Sequence, residues 1–239
     1  MLLLDLTLPT PAENLALDEA LLENAEAERG PSRVLRLWES PHWAVVLGRS
    51  SRHGLETHAA ACVARHVPVL RRASGGGTVV IGPGCLVYTV LVPYSDHPGL
   101  QMIEVAHQFV LGRIRDAQQP LLPGIEMRGT SDLTLDGRKF SGNSLRCKRT
   151  HLLYHGTLLY DFPLDLVGEL LDVPPRQPEY RGGRAHGEFV RNLPLDADSL
   201  RRALIAAWNA ERPLVDWPRE FTAQLVAERY ALDSWNKRL

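Results

Sequence analysis

Cysteine is scarce in this chain of 239 residues: Cys62, Cys85 and Cys147 are the whole supply. An odd number without metal-like spacing argues against a disulfide framework or a zinc site, and implies a reducing, cytoplasmic compartment. Net charge is nearly absent too. With 27 basic against 28 acidic residues, no long-range field marks a nucleic-acid or membrane binder. No apolar run approaches the roughly 20 residues that span a bilayer. Met1-Leu2-Leu3-Leu4 is apolar, but it has no basic flank and Asp5 interrupts it, so it reads as a first strand and not a signal peptide. Internal repeats and low-complexity tracts are also missing.

What the chain does have is glycine in an unusual place. Arg71-Arg72-Ala73-Ser74-Gly75-Gly76-Gly77-Thr78 lies between the apolar runs 67–70 and 79–81. Three consecutive glycines discard side-chain contacts and cost backbone entropy on ordering. They suit a main chain that must approach a ligand closely or present bare N–H groups to anionic oxygens. The two arginines just before them carry groups suited to gripping phosphate or carboxylate. A plain glycine-rich turn flanked by surface arginines is the alternative reading.

A second segment, Asp132-Leu133-Thr134-Leu135-Asp136-Gly137-Arg138-Lys139-Phe140-Ser141-Gly142-Asn143-Ser144, reads as a hairpin. Leu133 and Leu135 alternate with polar residues, and Asp136-Gly137 is a two-residue turn signal. Lys139 then begins the second strand beside a run of small residues. It is either a solvated strand charge or a charge held at a site.

Between and around these segments the pattern predicts strands at 2–8, 33–39, 43–48, 67–72, 78–81 and 86–93, with two or three more before residue 160. Helices are predicted at 14–27, 55–65, 100–118, 164–171, 197–210 and 219–230. Tight turns between neighbouring strands imply a mixed, largely antiparallel sheet packed with helices, an α/β (α+β) class. The length allows one domain over residues 1–239, with C-terminal helices from about 196 and no separate accessory domain. The segment 173–191 is rich in proline and glycine and is expected to lack regular structure. It carries Arg176, Arg181, Arg184 and His186, which makes it a solvated basic loop, a lid over an anionic intermediate, or a docking surface for an acidic protein.

Taken together, the glycine run, the Lys139 hairpin and His155-Gly156-Thr157-Leu158-Leu159 resemble the lipoate–protein ligases, and more broadly the biotin/lipoate/octanoate protein-transferase superfamily. Asn14-Leu15-Ala16-Leu17-Asp18-Glu19 and Val46-Leu47-Gly48-Arg49 are weaker matches, and the order agrees across about residues 1–210. The resemblance implies the biotin/lipoate ligase catalytic-domain fold. It further implies ATP-dependent joining of lipoate or octanoate to a lysine of a lipoyl carrier domain through an acyl-AMP. Mg²⁺ would enter with ATP, with no metal held by the protein alone.

Lys139 is then the expected catalytic residue. Arg71, Arg72, Ser74, Gly75, Gly76, Gly77 and Thr78 are expected on the adenylate side, with Asp132, Ser141, Gly142, Asn143, His155, Gly156 and Thr157 around the mouth. Arg181, Arg184 and His186 are expected in a lid. Val79, Val87 and Leu158 are either acyl tunnel or plain core. His155 sits in an apolar strand, as a hydrogen-bonded structural histidine does.

The chain departs from the family pattern in having Val80-Ile81 where an aromatic and a histidine are common, Cys85 where an Asn or Gln is expected, and little chain beyond about residue 215. The short C-terminus leaves room for a separate accessory adenylation subunit. Two rival functions stay open. One is acyl transfer from an acyl carrier or a preformed adenylate, with Cys147 or Cys85 as the thiols to consider and burial of all three cysteines as the default. The other is non-catalytic binding of lipoate or its adenylate.

Overall fold

The computed structural model describes residues 1–174 and 177–239; Pro175 and Arg176 lie outside the described residues. Its strands are β1 (Leu2–Asp5), β2 (Val34–Glu39), β3 (Ala44–Leu47), β4 (Val69–Arg71), β5 (Val79–Ile81), β6 (Cys85–Pro93), β7 (Glu126–Arg128), β8 (Asp132–Leu135), β9 (Arg138–Cys147), β10 (His151–Leu159) and β11 (Arg212–Pro213). An eight-stranded sheet runs β11-β1-β2-β6-β10-β9-β8-β7, and a smaller sheet runs β4-β3-β5. Only β11, β1 and β2 in the large sheet, and β3 with β4 in the small one, pair in parallel. The expected mixed, mostly antiparallel architecture is therefore present.

Strand alternation sorts the core. On β6, Leu86, Tyr88, Val90 and Val92 face the helices Ile103–Gln118 and Ala197–Trp208, while Cys85 and Val87 face the small sheet. Leu158 on β10 belongs with the helix-backed face and Leu159 with the opposite one. A period of two leaves no other choice once the register is set.

The helix Pro11–Glu26 starts where Thr10 and Glu13 cap each other reciprocally and Pro11 occupies the first turn. It buries Asn14, Asp18 and Glu19 as well as its leucines, so it is enclosed on most sides. The expected helix at 55–65 is instead two short ones, His53–Glu56 and Ala59–Ala64. Thr57 between them is extended and bridges Leu171, and Cys62 is the only buried residue of either helix. With so little apolar face to bury, the tertiary bridge prevails over helical continuity. The strands 33–39 and 43–48 are present but join different sheets.

The segment 173–191 also differs from expectation. It contains a 3-10 turn, Glu179–Arg181, and a short helix, His186–Phe189. Pro178 precedes the turn with φ −66°, and Gly182 and Gly183 end it with φ 58° and 73°. These residues punctuate regular structure here; they do not abolish it.

Candidate functional site

The hairpin of β8 and β9 turns at Asp136 (φ 51°) and Gly137 (φ 69°), the left-handed pair a two-residue turn requires. The register then slips between Leu133 and Thr134, leaving Phe140 as the extra residue of a bulge. A bulge at this point bends the strand and re-aims the Lys139 side chain. β9 pairs with β10 only from Asn143 to Cys147; nearer the turn the two strands diverge. In that gap lies a cavity of about 470 Å³.

One end of the cavity is apolar, lined by Leu15, Trp38, Val46, Val80, Ile81, Val87, Leu159 and Phe162. The other holds Lys139, Asp132, Ser141, Gly142 and Asn143, together with Gly76, Gly77 and Thr78 of the glycine run. Gly156 and Thr157 line the wall between them. A Cβ on Gly156 would stand 1.7 Å from Asn143 Oδ1 and 2.7 Å from Tyr88 Oη. Only glycine leaves room there for the hydrogen bond that Tyr88 donates to Asn143. Leu158, counted as a tunnel candidate from sequence, lies on the opposite face and is plain core.

The two arginines before the glycines spend their donors on main-chain carbonyls. Arg71 is fully buried, away from the cavity lining. Its guanidinium donates to the carbonyls of Gly48 (2.8 Å), Ser51 (2.7 Å), Trp235 (3.2 Å) and Asn236 (3.1 Å), tying the C-terminal segment to the loop after β3. Arg72 lines the cavity, yet it donates to the carbonyls of Val46 (3.1 Å), Gly75 (2.5 Å) and Gly77 (2.9 Å). Burial pushes its pKa down to about 10, so it remains charged at neutral pH.

These bonds orient the loop. Ser144 also donates to Gly75 O (2.7 Å), Arg146 to Ala73 O (2.7 Å), and the Arg49 N–H to Ser74 O (2.8 Å). With its carbonyls drawn into the protein, the N–H groups of Gly75, Gly76 and Gly77 find no acceptor among the described residues. Gly76 and Gly77 line the cavity; Ser74 and Gly75 support them from behind. Unpaired amides beside a cavity can offer an anion-binding surface without any side chain.

Ser74 links this loop to a buried charge network. Its Oγ accepts from Arg72 Nε (3.0 Å) and lies 2.6 Å from His155 Nε2. His155 Nδ1 lies 3.3 Å from Asp18 Oδ2, which Thr89 also reaches at 2.8 Å. Asp18 Oδ1 pairs with the buried Arg36 at 2.5 Å. The imidazole thus bridges the Ser74 hydroxyl and the Asp18 carboxylate, one ring nitrogen to each. Burial pushes the Asp18 carboxyl up, but Arg36 and His155 outweigh it and the net direction is down. His155 is therefore hydrogen-bonded on both ring nitrogens, and it also lines the cavity.

Lys139 Nζ sits 2.7 Å from Asp132 Oδ1, and Tyr180 Oη donates to Asp132 Oδ2 at 2.7 Å. Burial, then the Asp132 charge, raises the Tyr180 pKa far above its ordinary value, so it stays a donor. Beyond the end of the β9–β10 pairing, the free edge of β9 is taken by the segment 189–191, through a Lys139–Val190 bridge and the Arg191 N–H to Lys139 O bond (2.8 Å). Of the three expected lid residues just before it, Arg181 and His186 line the cavity, whereas Arg184 does not.

Cys62 and Cys85 are buried and Cys147 is exposed, which corrects the expectation of three buried thiols: Cys147 ends β9 where that strand leaves the core. Burial pushes the Cys85 thiol up. None of the three lines the cavity. Among the described residues no group of three or more His, Cys, Asp or Glu could hold a metal ion, and no helix is long and apolar enough to cross a membrane. Trp38, Glu56 and Tyr180 were not singled out by sequence. Trp38 closes the apolar end with its indole N–H unpartnered, and Glu56 accepts from Thr78 Oγ1 at 2.6 Å.

The family model of the lipoyl protein ligase A/B catalytic domain matches residues 10–204. Lipoate–protein ligase 1 of Staphylococcus aureus is 26% identical over 239 residues, covering 95% of this chain and 70% of the relative. Among the first four curated relatives the chain spans 52–70% of their length. The bipartite lipoate protein ligase of Thermoplasma acidophilum, solved with its E2 lipoyl domain, superposes with a TM-score of 0.84 at 21% identity, covering 99% of this chain and 95% of that one. A lipoate–protein ligase A bound with ATP gives 0.80 at 20% identity, covering 99% and 98%. At such identities these two likenesses speak for the fold.

Proposed function

The chain belongs to the lipoyl protein ligase A/B catalytic-domain family, and from that premise we propose that it activates lipoate, or octanoate, with ATP and passes the acyl group to a lysine of a lipoyl carrier domain. The observation that carries this reading is one cavity whose lining combines an apolar cluster with Lys139 and with the glycine run, whose amides are unpaired among the described residues.

The acyl chain fits the apolar end, against Trp38, Val46, Val80 and Ile81, which brings its carboxylate to Lys139. In the first step a carboxylate oxygen attacks the α-phosphorus of ATP and pyrophosphate leaves. Two anions must meet, so fixed positive charge and backbone dipoles have to offset their repulsion. Lys139 is a compact point charge able to follow the oxygen from substrate to transition state. The amides of Gly76 and Gly77 face the phosphate oxygens and need no reorganisation, because Arg72, Ser144 and Arg49 already hold the loop. In the second step the neutral ε-amine of the carrier lysine attacks the acyl carbonyl, AMP leaves, and the amine loses a proton. Asp132 is the carboxylate placed to receive a hydrogen bond from that amine.

A divalent ion such as Mg²⁺ would come in on the triphosphate, held mostly by phosphate oxygens and water. Its chemistry there is to neutralise charge on the leaving group.

The transferase alternative requires a nucleophilic thiol at the acyl carbonyl. That Cys85 and Cys147 both lie off the cavity lining favours the ligase. The test is the intact mass of a purified lipoyl carrier domain incubated with this protein in three arms: lipoate with ATP and Mg²⁺, octanoyl carrier protein without ATP, and synthetic lipoyl-AMP. Modification in the first arm supports the ligase. Modification only from lipoyl-AMP means that a separate accessory subunit performs adenylation. Modification only from the acyl carrier would overturn the reading in favour of a transferase, and modification in none would leave a binder.

A further inference from the structure

The two short helices after β3, His53–Glu56 and Ala59–Ala64, bury Cys62 alone. They leave Leu55 56% and Val63 75% exposed, and Ala59, Ala60 and Ala64 are exposed beside them. An apolar helix face left in solvent is a feature of surfaces that meet a partner. The cations next to it are unpaired. Arg49 and Arg52 are exposed, and their guanidinium groups make no hydrogen bond, ion pair or ring contact among the described residues. Arg238 adds a third: it donates to Arg49 O at 2.9 Å and lies over the Trp235 ring, with no carboxylate partner among the described residues.

Around the β8–β9 hairpin the cations are engaged. Lys139 pairs with Asp132, Arg128 with Glu126 and Arg191 with Asp136, while Arg138 donates to the carbonyls of Gly187 and Val190. The chain carries a net charge of −1, so the free arginines of the other side are not part of a general surplus. Glu56 completes the pattern. It lies between the two short helices, lines the cavity, and accepts from Thr78 Oγ1 at 2.6 Å and from the Arg52 N–H at 3.1 Å, with no cation paired to it among the described residues. From outside inward this face presents arginines and then a carboxylate at the lip. Its complement is a surface that carries a lysine amine among carboxylates.

We propose that the carrier domain docks on this face: Leu55 and Val63 supply the apolar contact, Arg49, Arg52 and Arg238 meet acidic side chains of the carrier, and the acceptor lysine passes Glu56 into the cavity. This deepens the proposed ligase function and rests on it for the identity of the partner. Opposite charges at the rim speed encounter and fix register, and a lysine set in a basic surface is repelled.

Steady-state modification of a purified lipoyl carrier domain is measured for the wild type, the double variant Arg49→Glu/Arg52→Glu, Val63→Asp, and Arg202→Glu as a control on the helix Ala197–Trp208 behind the large sheet. Thermal melts first show that each is folded. The double variant should raise KM for the carrier by about ten-fold or more, the scale of making rim attractions repulsive. It should leave kcat at saturating carrier and the rate of lipoyl-AMP formation within about two-fold. The wild-type KM for the carrier should rise with salt, and that of the double variant should not. Val63→Asp should raise this KM too, and Arg202→Glu should not. An unchanged carrier KM in the double variant would overturn the proposal, as would an equal rise in Arg202→Glu. A matching rise in KM for ATP would also overturn it and give the arginines to the triphosphate. Calorimetry follows carrier binding alongside. A wild type that binds the carrier through Arg49 and Arg52, but modifies it neither from lipoate and ATP nor from lipoyl-AMP, would refute the ligase reading and leave the docking face standing. A wild type that neither binds nor modifies it would refute both.

Discussion

Gly48 gives the sharpest test of how the glycine loop is held. It follows β3 directly, is buried, and lies under the loop so closely that a Cβ added there would stand 1.9 Å from Gly76 O, 2.9 Å from Gly76 C and 3.2 Å from Gly75 O. Real Cβ contacts essentially never fall below 3.0 Å, so Gly48→Ala forces the loop back by about 1 Å. The obstruction is backbone and has no rotamer through which to escape. The expected stability cost is that of overpacking, roughly 1–3 kcal/mol, or a fall in Tm of roughly 2–12 °C for a chain of this size. The functional cost should be larger, because a displacement of about 1 Å in a group that positions reactants costs on the order of 100-fold in rate. The assay is lipoyl-AMP formation from lipoate and ATP, measured well below the variant's Tm, beside the affinity for lipoate alone. The acyl end does not involve Gly48, so lipoate affinity should stay within about two-fold. A variant that melts as predicted yet makes lipoyl-AMP at the wild-type rate would refute the claim that the loop amides hold the phosphate.

Arg71→Gln should act on stability. It leaves the carbonyls of Gly48, Ser51, Trp235 and Asn236 short of a donor, for roughly 3–5 kcal/mol and a fall in Tm of about 6–20 °C. Unchanged melting with lost nucleotide affinity would restore the countercharge reading. Asp18→Asn strands the buried Arg36 and should cost about 3–5 kcal/mol at neutral pH. Because the folded Asp18 pKa lies below its unfolded value, the stability linked to it is fully present above about pH 4 and is lost as pH falls through the lower folded value. Acid denaturation curves should therefore show a shallower loss of stability below pH 4 in the variant than in the wild type. Parallel curves would contradict the network.

The hairpin was legible because Asp136-Gly137 admits few other conformations and Leu133 and Leu135 alternate around it. Lys139 carries a further signal that the sequence reading left unused: it is one of three lysines, with Lys148 and Lys237, in a chain that otherwise uses arginine. The glycine run was readable as a close-approach loop. The use of Arg71 and Arg72 was not, since a guanidinium serves carbonyls as readily as phosphates and only the fold decides which it meets. Leu158 and Val87 look alike in sequence, yet strand register sends one to the helix-backed core and the other to the cavity. Trp38 and Tyr180 gave no local signal, because their roles depend on partners far along the chain. In the segment 173–191, proline and glycine were read as breakers, whereas Pro178, Gly182 and Gly183 mark the ends of a short turn. The same ambiguity of local pattern hid the extended break at Thr57.

The most direct measurement is lipoyl-AMP and pyrophosphate formation by Lys139→Met compared with the wild type, at saturating lipoate and ATP with Mg²⁺. Lys139 is partly exposed and Asp132 keeps its bond to Tyr180, so the variant should melt within about 4 °C of the wild type. The account predicts a fall in rate of about 100-fold or more. A folded Lys139→Met variant that forms lipoyl-AMP at the wild-type rate would contradict the central claim that this lysine holds the reacting oxygens.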